Sequence, residues 1–236
     1  MLSPDGRVVM VSGAGRGLGA AIAHRLYADG YGVSLGARDV GALDRAWDGR
    51  RDRVAAFRHE AREAGSARAW VERTVERFGR IDGLINNAGV LRRFTIEGAC
   101  DDELDLMWQV NAKAPLQLTQ AAFPHLKRSG AGRIVNVASL SGLRVKRTDF
   151  VGYSMTKFAL VALTHAARQE GWEHGIRATA LCPSIVDTDM AAGLGMPREQ
   201  LVAPETVAAM VSVLLALPNN ASVAELPINI FSEPGY

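Results

Sequence analysis

A chain of 236 residues with 27 Lys and Arg, 25 Asp and Glu and 48% hydrophobic residues has the make-up of one ordinary globular domain with a sizeable core. The net charge of +2 makes no case for nucleic acid, no apolar run approaches a membrane span, and the opening Met-Leu-Ser-Pro-Asp-Gly lacks a signal peptide's charged and apolar regions. Two cysteines make no disulfide framework and no Cys/His spacing suggests a metal, so free thiols in a reducing cytoplasm are expected.

Along the chain, the apolar run 7–12 leads into Ser12-Gly-Ala-Gly-Arg-Gly-Leu-Gly19 and then a helical stretch over 18–29. A strand, a glycine turn and a helix start together present bare backbone N–H groups and a partial positive charge to a pyrophosphate. A second strand, 32–37, precedes Arg38 and Asp39, and the Arg-rich stretch 45–52, Arg51 included, reads as a solvated face. A third strand (53–57) and a helix (66–78) follow. The fourth strand, 82–86, closes in Asn86-Asn87-Ala88-Gly89, where small residues leave room for a ligand and amides can tie strands together. A helix over 101–128, a fifth strand (132–138), a helix over 151–173 and a sixth strand (176–182) come next. Pro204 opens the last helix (204–217), Val207, Met210, Val211, Leu214 and Leu215 form its apolar stripe, Pro218 ends it, and a seventh strand covers 226–231. This alternation predicts an α/β chain: one Rossmann-like, doubly wound parallel sheet of seven strands with helices on both faces, over a single domain 1–236.

Chemistry gathers on the 151–173 helix, where Tyr153 and Lys157 lie four residues apart on one face. An ammonium beside a phenol favours phenolate, which would lower the Tyr pKa and make it an acid/base near neutrality. Only four Tyr and four Lys occur in the chain, so chance is a poor source of this spacing. Upstream, the fifth strand runs out into Ser139 and Ser141. Either hydroxyl suits a bond to the substrate oxygen that the phenol protonates; either also suits a turn.

In order and spacing these motifs resemble the short-chain dehydrogenase/reductases in their single-domain form, from the first strand to Pro183 and more loosely beyond. The resemblance implies that Gly13, Arg16, Gly17, Leu18 and Gly19 form the cofactor loop, with Asn87, Ala88 and Gly89 beside it. It implies that Tyr153 protonates a carbonyl oxygen as hydride arrives from nicotinamide, and that Ser139 polarises and positions that oxygen. Lys157 would lower the Tyr pKa and hold the nicotinamide ribose, and Asn111 would steady a relay water. Pro183, Val186 and Thr188 would meet the nicotinamide.

At the end of the second strand, Ala37 stands where the family usually places an Asp for the ribose 2′-hydroxyl. Arg38 follows, and Arg16 is a second cation inside the loop, a pair that suits a 2′-phosphate and hence NADP(H). Asp39 is a candidate counter-charge for Arg38, and Glu60 aligns with a family Asp that contacts adenine. Two departures stand out. Ser184 replaces a Gly, and the chain ends Ala224-Glu-Leu-Pro-Ile-Asn-Ile-Phe-Ser-Glu-Pro-Gly-Tyr236 instead of in Val-Asp-Gly-Gly.

The substrate pocket is expected from Leu91, Leu140, Leu143, Val145, Phe150, Met190 and segment 189–203. Arg92, Arg93, Arg144, Lys146 and Arg147 are taken to face solvent, although they would also suit an acidic or phosphorylated substrate. The 151–173 helix is apolar nearly all round (Phe158, Ala159, Leu160, Val161, Ala162, Leu163), so its outer face needs cover, and the resemblance implies a second subunit there, in a homodimer or homotetramer. The function expected is an NADP(H)-dependent carbonyl reductase or alcohol dehydrogenase acting on a small molecule. The alternative is a catalytically silent sensor or scaffold, which Tyr153 and Lys157 together oppose. A sugar-nucleotide epimerase would carry another glycine spacing, and an enoyl reductase would place its Lys further on, where Leu160 stands.

Overall fold

The computed structural model describes residues 1–50 and 52–232; Arg51 of the Arg-rich stretch and residues 233–236 of the C-terminal tail lie outside the described residues. Seven strands form one parallel sheet: β1 (Val8–Ser12), β2 (Gly32–Ala37), β3 (Val54–Arg58), β4 (Gly83–Asn86), β5 (Arg133–Val137), β6 (Arg177–Pro183) and β7 (Glu225–Ile228), in spatial order β3-β2-β1-β4-β5-β6-β7. The helices are α1 (Gly17–Asp29), α2 (Val40–Ala46), α3 (Ser66–Phe78), α4 (Asp101–Trp108), α5 (Ala114–Ser129), α6 (Val151–Gly171) and α7 (Pro204–Ala216). The expected α/β class and the doubly wound parallel sheet are the observed ones.

Strand periodicity explains how both faces are filled. Val9 and Val11 of β1, Ile85 of β4 and Val135 and Val137 of β5 point to one side, against Ile22, Ala23 and Leu26 of α1 and Val207, Val211 and Leu215 of α7. Met10, Leu84 and Ile134 point to the other side, against Trp70 of α3, Leu118 and Leu126 of α5 and Ala167 of α6. With both faces covered, the strands can be almost continuously apolar. Gly36 fits this scheme, since a Cβ there would lie 2.6 Å from the Trp70 ring.

Two features depart from the expected elements. Asp39 caps the seven-residue α2, a helix absent from the expected elements, by accepting from the Ala42 N–H at 2.9 Å. The long 101–128 helix is broken by a π-helical turn, Gln109–Lys113, between α4 and α5. Pro115 follows that turn and has no N–H to give the Asn111 carbonyl four residues back.

The order reverses between β1 and β4: the chain moves outward from β1 to β2 and β3, then returns to β4 on the other side. The carboxyl ends of β1 and β4 flank that crevice, where ligands bind in open α/β sheets.

Candidate active site

The glycine loop joins the end of β1 to α1. Gly13 and Gly17 adopt φ of +66° and +54°, a region that strains residues with a Cβ. A Cβ at Gly19 would lie 2.2 Å from the Gly13 carbonyl oxygen, so α1 can approach the loop this closely only with glycine there. No side chain caps α1 and no acid stands in its first turn. The helix therefore offers its first donors and its positive end to an anion. These observations fit a dinucleotide pyrophosphate.

Asn87 holds the neighbouring loop against this turn. Its Nδ2 donates to the Ser12 carbonyl at 2.9 Å, while the Asn87 and Ala88 N–H groups donate to Ser12 Oγ at 2.9 and 3.1 Å. Asn86 points into the sheet and donates to Asn136 Oδ1 at 2.8 Å, a buried tie between β4 and β5. Gly89 lies against the catalytic candidates, for a Cβ there would sit 3.4 Å from Asn111 Oδ1 and 3.7 Å from Lys157 Nζ.

Asn111 is fully buried in the π-turn. Its Oδ1 accepts from the Val90 N–H at 2.8 Å, and its Nδ2 donates to the Val90 carbonyl at 2.9 Å and to Thr156 Oγ1 at 3.1 Å. One amide thus joins the loop after β4 to α6. Thr156 is a positioning residue that sequence reading missed, because its partner lies 45 positions away.

On α6, Tyr153 and Lys157 are both buried, and Lys157 Nζ lies 5.5 Å from the Tyr153 ring centroid. The ammonium donates to the Val137 carbonyl at the end of β5, at 2.8 Å. Burial pushes the Tyr153 phenol up to about 12, against a smaller lowering by its hydrogen bond with Ser139. Burial likewise pushes Lys157 down to about 8. The expected lowering of the phenol's pKa is therefore not what the protein alone produces. Desolvation of a buried phenol outweighs its polar neighbours here. Of the two candidate serines, it is Ser139 whose hydroxyl meets the phenol. The same oxygen accepts from the Ser141 N–H at 3.1 Å, which holds it in place at the start of a 3₁₀ turn.

Phe150, Tyr153 and Met107 form a small apolar cluster, with Val90, Leu91, Phe94 and Leu194 packed on it. Leu91 and Phe150 thus take their expected places beside Tyr153, and Phe94 and Leu194 join them. Leu140 does not, being buried with Ala138, Leu160 and Cys182. Val145 and Met190 are exposed. Arg92, Arg93 and Arg147 are exposed, as expected, and are paired at the surface: Arg93 and Arg147 both bond Asp149, and Arg92 pairs with Glu103 at 2.7 Å.

At the adenosine end, a Cβ at Gly15 would lie 3.8 Å from the Ala37 Cβ, so residue 37 borders the glycine loop. Arg38 is exposed and pairs with no carboxylate among the described residues; Asp39 is committed to capping α2. Arg16 pairs with Asp189 at 2.9 Å, with both side chains more than three-quarters exposed. The Glu60 carboxylate accepts from the Arg62 N–H at 3.2 Å. Thr188 stands against Gly17, 3.3 Å from where a Cβ would be, and Val186 bridges Val202. Ser184 extends the β6–β7 ladder by donating its N–H to the Ile228 carbonyl at 2.8 Å. No described residue other than glycine has positive φ, so the extra Cβ of Ser184 brings no backbone strain.

Comparison with known proteins places this geometry. The short chain dehydrogenase family profile matches residues 7–199. An agropine synthesis reductase of Rhizobium rhizogenes is 40% identical over 228 residues, which are 96% of this chain and 53% of that protein. The chain thus spans about half the length of that curated relative. A short-chain dehydrogenase of Burkholderia cenocepacia, solved with NADP, superposes with a TM-score of 0.87 at 30% identity, over 96% of this chain and 98% of that one. An alcohol dehydrogenase of Thermococcus sibiricus, solved with 5-hydroxy-NADP, gives 0.87 at 30% identity over 98% and 99%.

Proposed function

We propose that this chain, which belongs to the short-chain dehydrogenase family, is an NADP(H)-dependent carbonyl reductase or alcohol dehydrogenase with Tyr153 as its general acid/base. The observation that carries the reading is the meeting of a buried Tyr153 with the Ser139 hydroxyl, with the Lys157 ammonium 5.5 Å from the Tyr153 ring centroid. NADPH, when bound, supplies the hydride. Tyr153 gives its proton to the substrate oxygen, Ser139 orients that oxygen, and Lys157 would hold the cofactor's ribose and favour the phenolate left behind. Asn111 keeps the loop after β4 and α6 in register and steadies a water that returns the proton. Gly13, Gly17, Leu18, Gly19, Asn87, Ala88 and Gly89 would hold the dinucleotide, with Glu60, Pro183, Val186 and Thr188 towards its two ends. The test is NADPH oxidation over a panel of aldehydes, ketones and keto acids, with NADH alongside. Tight NADPH binding without turnover on any member would return the chain to the sensor or scaffold reading.

Arg16 and Arg38 would share the 2′-phosphate. The solvent-exposed Arg16–Asp189 pair is worth about 0–1 kcal/mol, so a phosphate can displace Asp189. Arg38→Gln is expected to weaken NADPH roughly tenfold and to leave NADH unchanged, whereas Asp189→Asn tightens NADPH by up to a few-fold. Equal NADPH and NADH affinities in the parent protein, by fluorescence titration, would contradict this assignment.

A second copy of the chain would cover the apolar stripe of α6. Met155 and Phe158 are 50% and 43% exposed there, and Trp108 and Leu116 on the α4–α5 helix are similarly open. Light scattering is expected to give a dimer or tetramer mass; a monodisperse monomer would refute it. Cys100 and Cys182 are both free, and no helix among the described residues is long and apolar enough to cross a membrane.

A further inference from the structure

Arg93 lies in the loop between β4 and α4, and Arg147 lies just before α6. Both reach Asp149. Arg93 Nε donates to its Oδ2 at 2.8 Å, and Arg147 donates to Oδ1 through Nε at 2.9 Å and to Oδ2 through Nη2 at 3.2 Å. The two guanidiniums hold the Asp149 carboxyl down at about 2, so it stays ionised. Two permanent cations thus share one anion, and the group keeps one net positive charge.

Its location decides what that charge is for. The Arg93 and Arg147 guanidinium carbons lie 5.8 and 5.1 Å from the Phe150 ring centroid, and Phe150 meets the Tyr153 ring edge-on at 6.0 Å. Arg93 Nη1 also donates, at 3.4 Å, to the Gly193 carbonyl, next to the Leu194 that covers the same cluster. Arg147 Nη1 has no protein partner among the described residues. The excess charge therefore sits at the solvent-exposed rim of the apolar cluster that contains Tyr153, with the Arg93 and Arg147 side chains 43% and 47% exposed.

We propose that the substrate carries an anionic group, carboxylate or phosphate, which Arg93 and Arg147 bind beside Phe150 while its carbonyl faces Tyr153. Planar guanidiniums match both anions in forked geometry, and Asp149 holds them ready at the cost of part of their charge. The placement of the carbonyl rests on the reductase reading; the anion site does not.

The experiment titrates NADP⁺-loaded protein calorimetrically with two matched pairs: 4-oxopentanoate against its methyl ester, and dihydroxyacetone phosphate against dihydroxyacetone. The anionic member of at least one pair is expected to bind roughly tenfold or more tightly than its neutral partner at low salt. Physiological salt should narrow the gap. The pair that discriminates identifies the anion. Arg147→Gln and Arg93→Gln should each remove most of the preference, and Asp149→Asn should widen it, a change of opposite sign that general damage to the site would not give. Charged and neutral members binding alike in both pairs, or no binding of either anion, overturns the proposal. Anion preference without Tyr153-dependent turnover would sink the reductase reading and leave this one standing.

Discussion

Tyr153→Phe is expected to lower kcat for carbonyl reduction by about 10²–10⁴-fold, the range for loss of a positioned general acid, with NADPH affinity changed by no more than a few-fold. The substitution removes one oxygen. The ring keeps its edge-on contact with Phe150 and its place among Val90, Leu91, Phe94 and Leu194, so packing is preserved. Ser139 keeps its bond from the Ser141 N–H, so the 3₁₀ turn after β5 is undisturbed. With burial raising the phenol to about 12, the acid form is fully populated at neutral pH, as reduction requires. Stopped-flow NADPH oxidation and a thermal melt check the two halves. A mutant that turns over within tenfold of the parent would remove Tyr153 from its role.

Lys157→Met should cost turnover and cofactor affinity together, each by roughly tenfold or more, since a charge-assisted bond is worth about 1.5–3 kcal/mol. Its effect on stability runs the other way. Burial holds the folded pKa at about 8, below the ordinary 10.5. Between those values the unfolded chain binds the extra proton, so the Lys157 contribution to stability rises with pH across that window, is complete above it and is lost below about 8. A neutral Met of similar length escapes that penalty, although it leaves the Val137 carbonyl without its donor. The expected outcome at pH 7 is a Tm equal to or above the parent's. In the parent, kcat/KM for reduction falls as pH rises through about 8 and Lys157 loses its charge. Unimpaired NADPH binding and turnover in the mutant would refute the assignment.

What could be read from the sequence is what rests on local periodicity. β1 announces itself because Val8–Ser12 is apolar on both faces and ends in glycines, and α7 because its stripe stands between Pro204 and Pro218. The glycine loop and the Tyr153–Lys157 spacing are equally local. Contacts that span the chain were not legible. Asn111 finds Val90 and Thr156 only after folding, and Arg93 meets Asp149 across 56 positions, a pairing that no local pattern announces. Pro115 was the one local sign of the π-turn. The short α2 buries only Leu43, too little to leave a stripe. The direction of the Tyr153 shift depends on burial, and spacing alone carries no measure of that.

The most direct test of hydride transfer with Tyr153 as acid uses NADPH carrying deuterium at both nicotinamide C4 positions, with the best carbonyl compound from the panel. The product alcohol, examined by mass spectrometry, is expected to carry one deuterium on the former carbonyl carbon. The label should appear with the parent protein and fall to background with Tyr153→Phe. Alcohol formed without deuterium, or label incorporated equally by the mutant, would contradict the account.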